Sequence, residues 1–189
     1  WGAATAGLWP VSLALSLPAA FFLVRLFLIQ HDCGHQSFFR HPALNDWVGR
    51  ALGVLTLTPY DCWRKEHAIH HATAGNLDRR GVGGIETLTV EEYRAKPWLG
   101  RFGYRVYRHP LTLFLLGPFW VFFLQQRLPV GLMKEGWRPW VSAMGTNLAL
   151  AGIVGVAAWA DGWRLLALTL APSFLLAGTI GVWLFYVQH

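Results

Sequence analysis

Apolar and polar positions alternate in blocks along this chain rather than residue by residue. Residues 11–30, VSLALSLPAAFFLVRLFLIQ, are almost continuously apolar. At 1.5 Å per residue such a run is long enough to cross a ~30 Å hydrocarbon core as a helix. Two further runs of that length lie at 139–160 and 164–188, and residues 1–10 read as the remainder of an earlier span. Pro18 is a potential kink, and Arg25 is expected to face protein or to snorkel. The segment 51–60, ALGVLTLTPY, is apolar but too short to span, and reads as buried or interfacial. The segment 111–125 is expected to be broken by Gly117-Pro118 and to lie along the interface or dip into it.

The pattern predicts an all-α integral membrane protein with about four transmembrane helices, the first truncated. It is one domain over 1–189, with spans near 1–10, 11–30, 139–160 and 164–188. A polar helical cap fills 31–110. In that cap, GNLDRRGVGG at 75–84 is a loop by its glycine content. TVEEYRA at 89–95 opens a helix with Thr89 as N-cap and Glu92 as its capping-box partner.

Composition agrees with a membrane setting. Hydrophobic residues make up 54% and charged residues only 14%, and mean hydropathy is +0.35. The chain opens and closes inside apolar sequence and does not begin with Met, so it is expected to be a piece of a longer protein, truncated at both ends. No basic stretch precedes the first apolar run, which argues against a cleaved signal peptide. The +6 net charge flanks apolar spans, which points to lipid headgroups and not to nucleic acid. Cys33 and Cys62 form neither a CxxC pair nor a disulfide framework.

Charge also sets topology. The 126–138 connection carries Arg127, Lys134 and Arg138 against Glu135, whereas 161–163 is a tight Asp-Gly-Trp turn. The positive-inside rule places 126–138 and the polar cap on the cytoplasmic side. The spans 139–160 and 164–188 then form a hairpin that returns His189 to the face that holds the cap.

Seven of the eight histidines fall within 31–110. His31 and His35 stand at i and i+4, on one helix face where the 11–30 span leaves the membrane. His67, His70 and His71 share a second face at i, i+3 and i+4. Two such helix ends side by side bring five imidazoles to one volume, and neutral imidazole suits Fe, Zn, Cu and Ni. A single HxxxH is weak evidence, but HxxxH followed about thirty residues later by HxxHH, both beside apolar spans, is strong. His41 and His109 each stand alone before Pro and read as loop residues. His189 reads equally as an interfacial polar residue or as a ligand. Asp32, Asp61, Glu66, Asn76 and Asp78 are near enough in sequence to accept from ligand imidazoles, or to serve as ordinary caps and solvated side chains. Cys33 reads as a small filler between the first two histidines, and Trp63 and Arg64 as packing or interface anchors.

At HDCGHQSFF and WRKEHAIHHATAGNLD the chain resembles the membrane fatty acid desaturases, most closely the bacterial and plastid-type acyl-lipid enzymes. The resemblance runs nearly the full length, to FYVQH at 185–189. It implies an O2-dependent enzyme that introduces a cis double bond into a lipid-borne fatty acyl chain. It implies two iron ions held by His31, His35, His67, His70, His71 and His189, with electrons from a ferredoxin or cytochrome b5-like donor. For a bacterial chain it implies the inner membrane, with the histidine face cytoplasmic. The family also carries a third HxxHH, which is not found within 1–189, so this stretch alone is expected to lack several ligands and to be inactive. Gly84 stands where the family pattern leads us to expect an acidic residue. Two other functions fit the histidines: a hydroxylase, ketolase or alkane monooxygenase with the same boxes, and a non-catalytic zinc-binding membrane protein.

Overall fold

The computed structural model describes residues 2–80 and 83–188, with the backbone alone for Asp161, Arg164 and Leu165. No strand occurs among the described residues, and three helices are long and apolar enough to cross a membrane. The first is α1 (Trp9–Gly34), which begins with Pro at its second position and continues through Pro18. The expected span at 1–10 is a single turn, Gly2–Thr5, leading into α1, so the described spans number three rather than four. In the cap, α2 (Pro42–Leu55) and α3 (Tyr60–Thr73) are followed by α4 (Val90–Ala95) and α5 (Trp98–Arg108). Thr89 and Glu92 form the predicted capping box, with Thr89 Oγ1 accepting from Glu92 N and a Glu92 carboxylate oxygen from Thr89 N. The wide-wound α6 covers 112–124, and α7 (Trp137–Asp161) and α8 (Trp163–Gln188) complete the chain.

Small residues decide where α1 packs. Ser12, Ser16 and Ala20 recur every fourth position and are buried, whereas Phe21 and Phe22 point outward. A small stripe lets two membrane helices approach closely. Here the partner is α8, and Ser12 Oγ donates to the Leu168 carbonyl at 3.4 Å. Leu148, Val156 and Trp159 on α7 are likewise outward-facing, as expected of a lipid-facing surface.

Contacts at the two ends fix the direction of each span. The starts of α1 and α8 meet at Ser12 and Leu168. At the other end the Phe185 ring, near the finish of α8, lies 5.3 Å from the His70 ring. The start of α7 lies beside α3, where Cys62 Sγ donates to the Pro139 carbonyl at 3.3 Å. So α7 leaves from the histidine side and α8 returns to it, which is the hairpin that charge predicted. Its turn is Gly162, at φ +82, a left-handed position that glycine accepts without strain.

The expected break at Gly117-Pro118 does not occur. The chain winds on as a wide helix in which Gly117 N donates to Thr112 O and Gln125 N to Trp120 O, five residues back. Pro118 has no N–H to offer the carbonyl of Phe114, four residues earlier. Thr179 Oγ1 on α8 donates to that carbonyl instead, at 2.6 Å. Close packing accompanies the bond, since a Cβ on Gly178 would lie 3.0 Å from Pro118 Cβ. Phe114 meets Tyr186 and Pro118 meets Gly178, so α6 runs from the end of α8 down its side. Eight residues of helix are ~12 Å, so Pro118 sits about that far along α8 from Tyr186. The chain then returns through Arg127, whose guanidinium donates to Asn147 Oδ1 at 2.9 Å and to the Leu57 carbonyl.

Candidate metal centre

His31 lies in the last turn of α1, and His35 caps that helix. Their i, i+4 spacing puts the two rings 4.6 Å apart. On α3, His67 and His71 bear the same relation, at 4.4 Å. The helix ends are apposed, so one nitrogen from each of His31, His35, His67 and His71 lies within 4.8 Å of the other three. His67 Nε2 is 3.0 Å from both His35 Nε2 and His71 Nε2. Two imidazole nitrogens bound at ~2.1 Å and about 90° to one ion stand ~3.0 Å apart. The donor set therefore fits a transition-metal centre.

His70 is placed apart from this group. It is buried, 6.2 Å from the His67 ring and 5.7 Å from the His71 ring, toward Phe185. The loop at Gly83 and Gly84 closes over it, and a Cβ at Gly84 would lie 3.4 Å from His70 Nδ1. The position where an acidic residue was expected thus adjoins a histidine of the second box. His189 lies outside the described residues. His41 is the N-cap position of α2, and His109 Nδ1 accepts from Leu111 N at 3.3 Å; neither joins the cluster.

The electrostatics favour ligation. Burial, followed by the neighbouring His31 and His71, holds the His35 pKa below its usual value. Burial, followed by the surrounding histidines, pushes His67 down to about 3. Both imidazoles are therefore neutral at pH 7, the form that binds metal. His31 Nδ1 lies 3.2 Å from Asp32 Oδ1, a pairing that leaves Nε2 free to turn inward. The Trp63 indole stacks on His67, with ring centroids 4.6 Å apart, and meets Phe27 edge-on. Gly34 makes room for it, because a Cβ there would stand 2.7 Å from the Trp63 ring. The glycine between two histidines in HDCGH thus serves the indole that backs a third.

Asp46 holds the two helix ends together, and sequence reasoning did not single it out. Its Oδ1 accepts from Gln36 Nε2 and from an Arg64 guanidinium nitrogen, each at 2.8 Å. Gln36 follows His35, and Arg64 is one turn before His67. Tyr60 OH, 3.3 Å from the same oxygen, donates to the Cys33 carbonyl at 2.9 Å. The Tyr60 ring fits because Gly49 on α2 has no side chain. Cys33 itself is fully buried, as expected of a filler. The signal for Asp46 was only an acid in a polar cap, one of eight.

Of the other proposed acceptors, Asp61 pairs with Arg50 at 2.9 Å and Asn76 Oδ1 caps Asp78 N at 2.9 Å, both local duties. Glu66 is half-buried, and burial pushes its pKa up to about 7.

Comparison with known proteins bears on this geometry. The family model described as fatty acid desaturase matches residues 6–189. A fatty acid desaturase of Bacillus subtilis is 46% identical over 181 residues, 95% of this chain and 50% of that protein. An sn-1 acyl-lipid omega-3 desaturase (ferredoxin) of Synechocystis is 35% identical over 96 residues, 49% of this chain and 26% of the relative. An sn-1 oleoyl-lipid 12-desaturase of Arthrospira platensis is 31% identical over 88 residues, 40% of this chain and 25% of the relative. The chain thus spans half the length of the Bacillus relative and about a quarter of the other two. No solved structure matches significantly. Match to the family over nearly its whole length, with the histidines gathered at one end of three apolar helices, makes this chain a member of the fatty acid desaturase family.

Proposed function

We propose that this chain forms a large part of an acyl-lipid desaturase, which uses O2 to turn a saturated C–C bond of a lipid-borne acyl chain into a cis double bond. Residues 1–189 act as one membrane domain. His31, His35, His67, His70, His71 and His189 serve as ligands of two iron ions. The observation that carries this reading is the convergence of four imidazoles within 4.8 Å at the histidine end of the apolar helices. Bound iron supplies the oxidising chemistry, since a methylene has no acidic proton for a general base to remove.

The chain's own residues do the rest. Burial keeps His35 and His67 unprotonated, Asp32 orients His31, and the Trp63–Phe27 pair excludes water from the apolar side. In balance, the acyl chain gives up two hydrogens, a donor gives two electrons and solvent gives two protons, while O2 leaves as two waters. The names of the Synechocystis and Nostoc relatives carry ferredoxin, which supports a ferredoxin as donor; a cytochrome b5-like protein would serve the same step. The basic residues of the cap and of the 126–138 connection support a histidine face on the cytoplasmic side, at the inner membrane of a bacterium.

The test is product analysis of the purified full-length protein, supplied with an acyl lipid, O2 and reduced ferredoxin. Iron should copurify, and mass spectrometry should show the acyl chain lighter by two hydrogens. Gain of an oxygen atom would make it a hydroxylase or ketolase, and bound zinc without iron would overturn catalysis altogether.

A further inference from the structure

Helix α5 has two faces with opposite fates. Tyr104 and Tyr107 fasten one face to the preceding loop, their hydroxyls accepting from Leu88 N at 3.2 Å and Glu86 N at 3.0 Å. The other face holds Trp98, Leu99, Phe102 and Val106, which are 72, 63, 57 and 46% exposed, and no residue of α5 is buried. Between the faces Arg101, Arg105 and Arg108 recur at i, i+4 and i+7 in a basic stripe. A short helix tied down by its tyrosines has no reason to hold four large apolar side chains in water.

Three observations say what covers them. Arg108 lies 3.3 Å from Tyr186 OH and 5.3 Å above its ring, and Tyr186 is two residues from the end of the apolar span of α8. That contact sets the C-terminal end of α5 at the depth where the span meets the headgroups. The apolar face is continuous with the next segment, where Leu111, Leu115 and Leu116 are also exposed and α6 dips beside α8. Charge completes the picture, because Arg105 and Arg108 edge an open groove of about 340 Å3 floored by Leu88, Val90, Tyr93 and Tyr104. An apolar floor under two guanidinium groups suits an acyl chain that carries a phosphate.

We propose that α5 is an interfacial anchor for anionic phospholipid: its Trp98–Val106 face sits among the acyl chains, and Arg101, Arg105 and Arg108 bind phosphate, one headgroup lodging in the groove between α4 and α5. Arg105 is preset for this, with its Nε donating to Tyr93 OH at 2.7 Å and its guanidinium over the Tyr93 ring. The inference rests on the reading that α1, α7 and α8 cross a bilayer, but it concerns a surface away from the histidines.

The test uses the full-length protein in nanodiscs of phosphatidylcholine with or without phosphatidylglycerol. A nitroxide placed by Phe102→Cys should be more accessible to O2 than to a water-soluble nickel chelate. A nitroxide placed by Leu148→Cys, on the outward face of α7, serves as the membrane reference. Failure at 148 would overturn the transmembrane reading, whereas an aqueous signal at 102 with a lipid signal at 148 would overturn the anchor alone. The unmodified protein should prefer spin-labelled phosphatidylglycerol to phosphatidylcholine, and high salt should weaken that preference. At roughly five-fold per arginine near the surface, R101Q should lower the preference about five-fold and R101Q/R105Q/R108Q much more. Equal affinity for the two lipids in the unmodified protein would refute the phosphate site without recourse to any variant.

Discussion

Gly49→Ala probes the joint between α2 and α3 that keeps the histidine helices in register. A Cβ on Gly49 would stand 2.2 Å from Tyr60 Cε2 and 2.5 Å from Cζ. Carbon contacts are comfortable at ~3.5–4.0 Å, so the ring or the helix must shift by more than an ångström. Tyr60 is 1% exposed and has nowhere to go. Overpacking of this kind costs about 1–3 kcal/mol. Pulling the hydroxyl away from the Cys33 carbonyl adds about 1 kcal/mol, and the better helix propensity of Ala returns about as much. The net loss is about 1–3 kcal/mol, or roughly 3–10 °C in Tm for a cooperative unit of this chain's length and proportionally less for a longer one. Thermal unfolding of the full-length protein in detergent would read it, together with iron content, because the Tyr60–Cys33 bond pins the backbone between His31 and His35. In a Tyr60→Leu background the added methyl should cost almost nothing. A G49A protein as stable as its parent, or one equally destabilised in both backgrounds, would refute the steric account.

Other perturbations address the centre itself. His67→Ala removes the nitrogen that stands 3.0 Å from both His35 and His71, and should abolish iron loading and desaturation, whereas His41→Ala should leave both intact; equal damage from the two would end the ligand assignment. Gly34→Ala should push the Trp63 indole off His67 and lower iron occupancy several-fold, and Gly34→Ala with Trp63→Leu should recover part of it; iron per chain by elemental analysis decides. Glu66 has its folded pKa raised to about 7 from near 4.5. The folded state therefore holds that proton more tightly, and the stability so gained is complete at low pH and lost as pH rises through about 7. Metal-free Glu66→Gln should accordingly lose less stability than its parent between about pH 5 and about pH 8, and parallel stability curves would show that Glu66 is not buried as described.

Local pattern made much of this molecule legible. The long apolar runs, the i, i+4 histidines and the Thr89–Glu92 box depend on residues within one or two turns of each other. The return of α8 to the histidine side followed from the charge of two connections. The failures are failures of distance. Pro118 reads as a helix breaker when only its neighbours are considered, yet Thr179, sixty-one residues on, satisfies the carbonyl it strands. Asp46 and Tyr60 carry no motif; they matter because Gln36, Arg64 and Cys33 come to them in space. For His70 the helix face shared with His67 was legible from spacing, and space adds that its ring lies toward Phe185 beside the 83–84 loop.

The four clustered imidazoles all fall between residues 31 and 71. The bonds that gather them, through Asp46 and Tyr60, begin and end between residues 33 and 64. Among the described residues, later sequence supplies outer braces, such as Lys65 to Glu135 and Arg127 to the Leu57 carbonyl. During synthesis on the ribosome, then, the four clustered imidazoles and the Asp46 and Tyr60 groups that gather them have been made before the closing hairpin exists. Biogenesis can proceed nest first and roof second, with the last two helices folding back over four histidines that are already gathered.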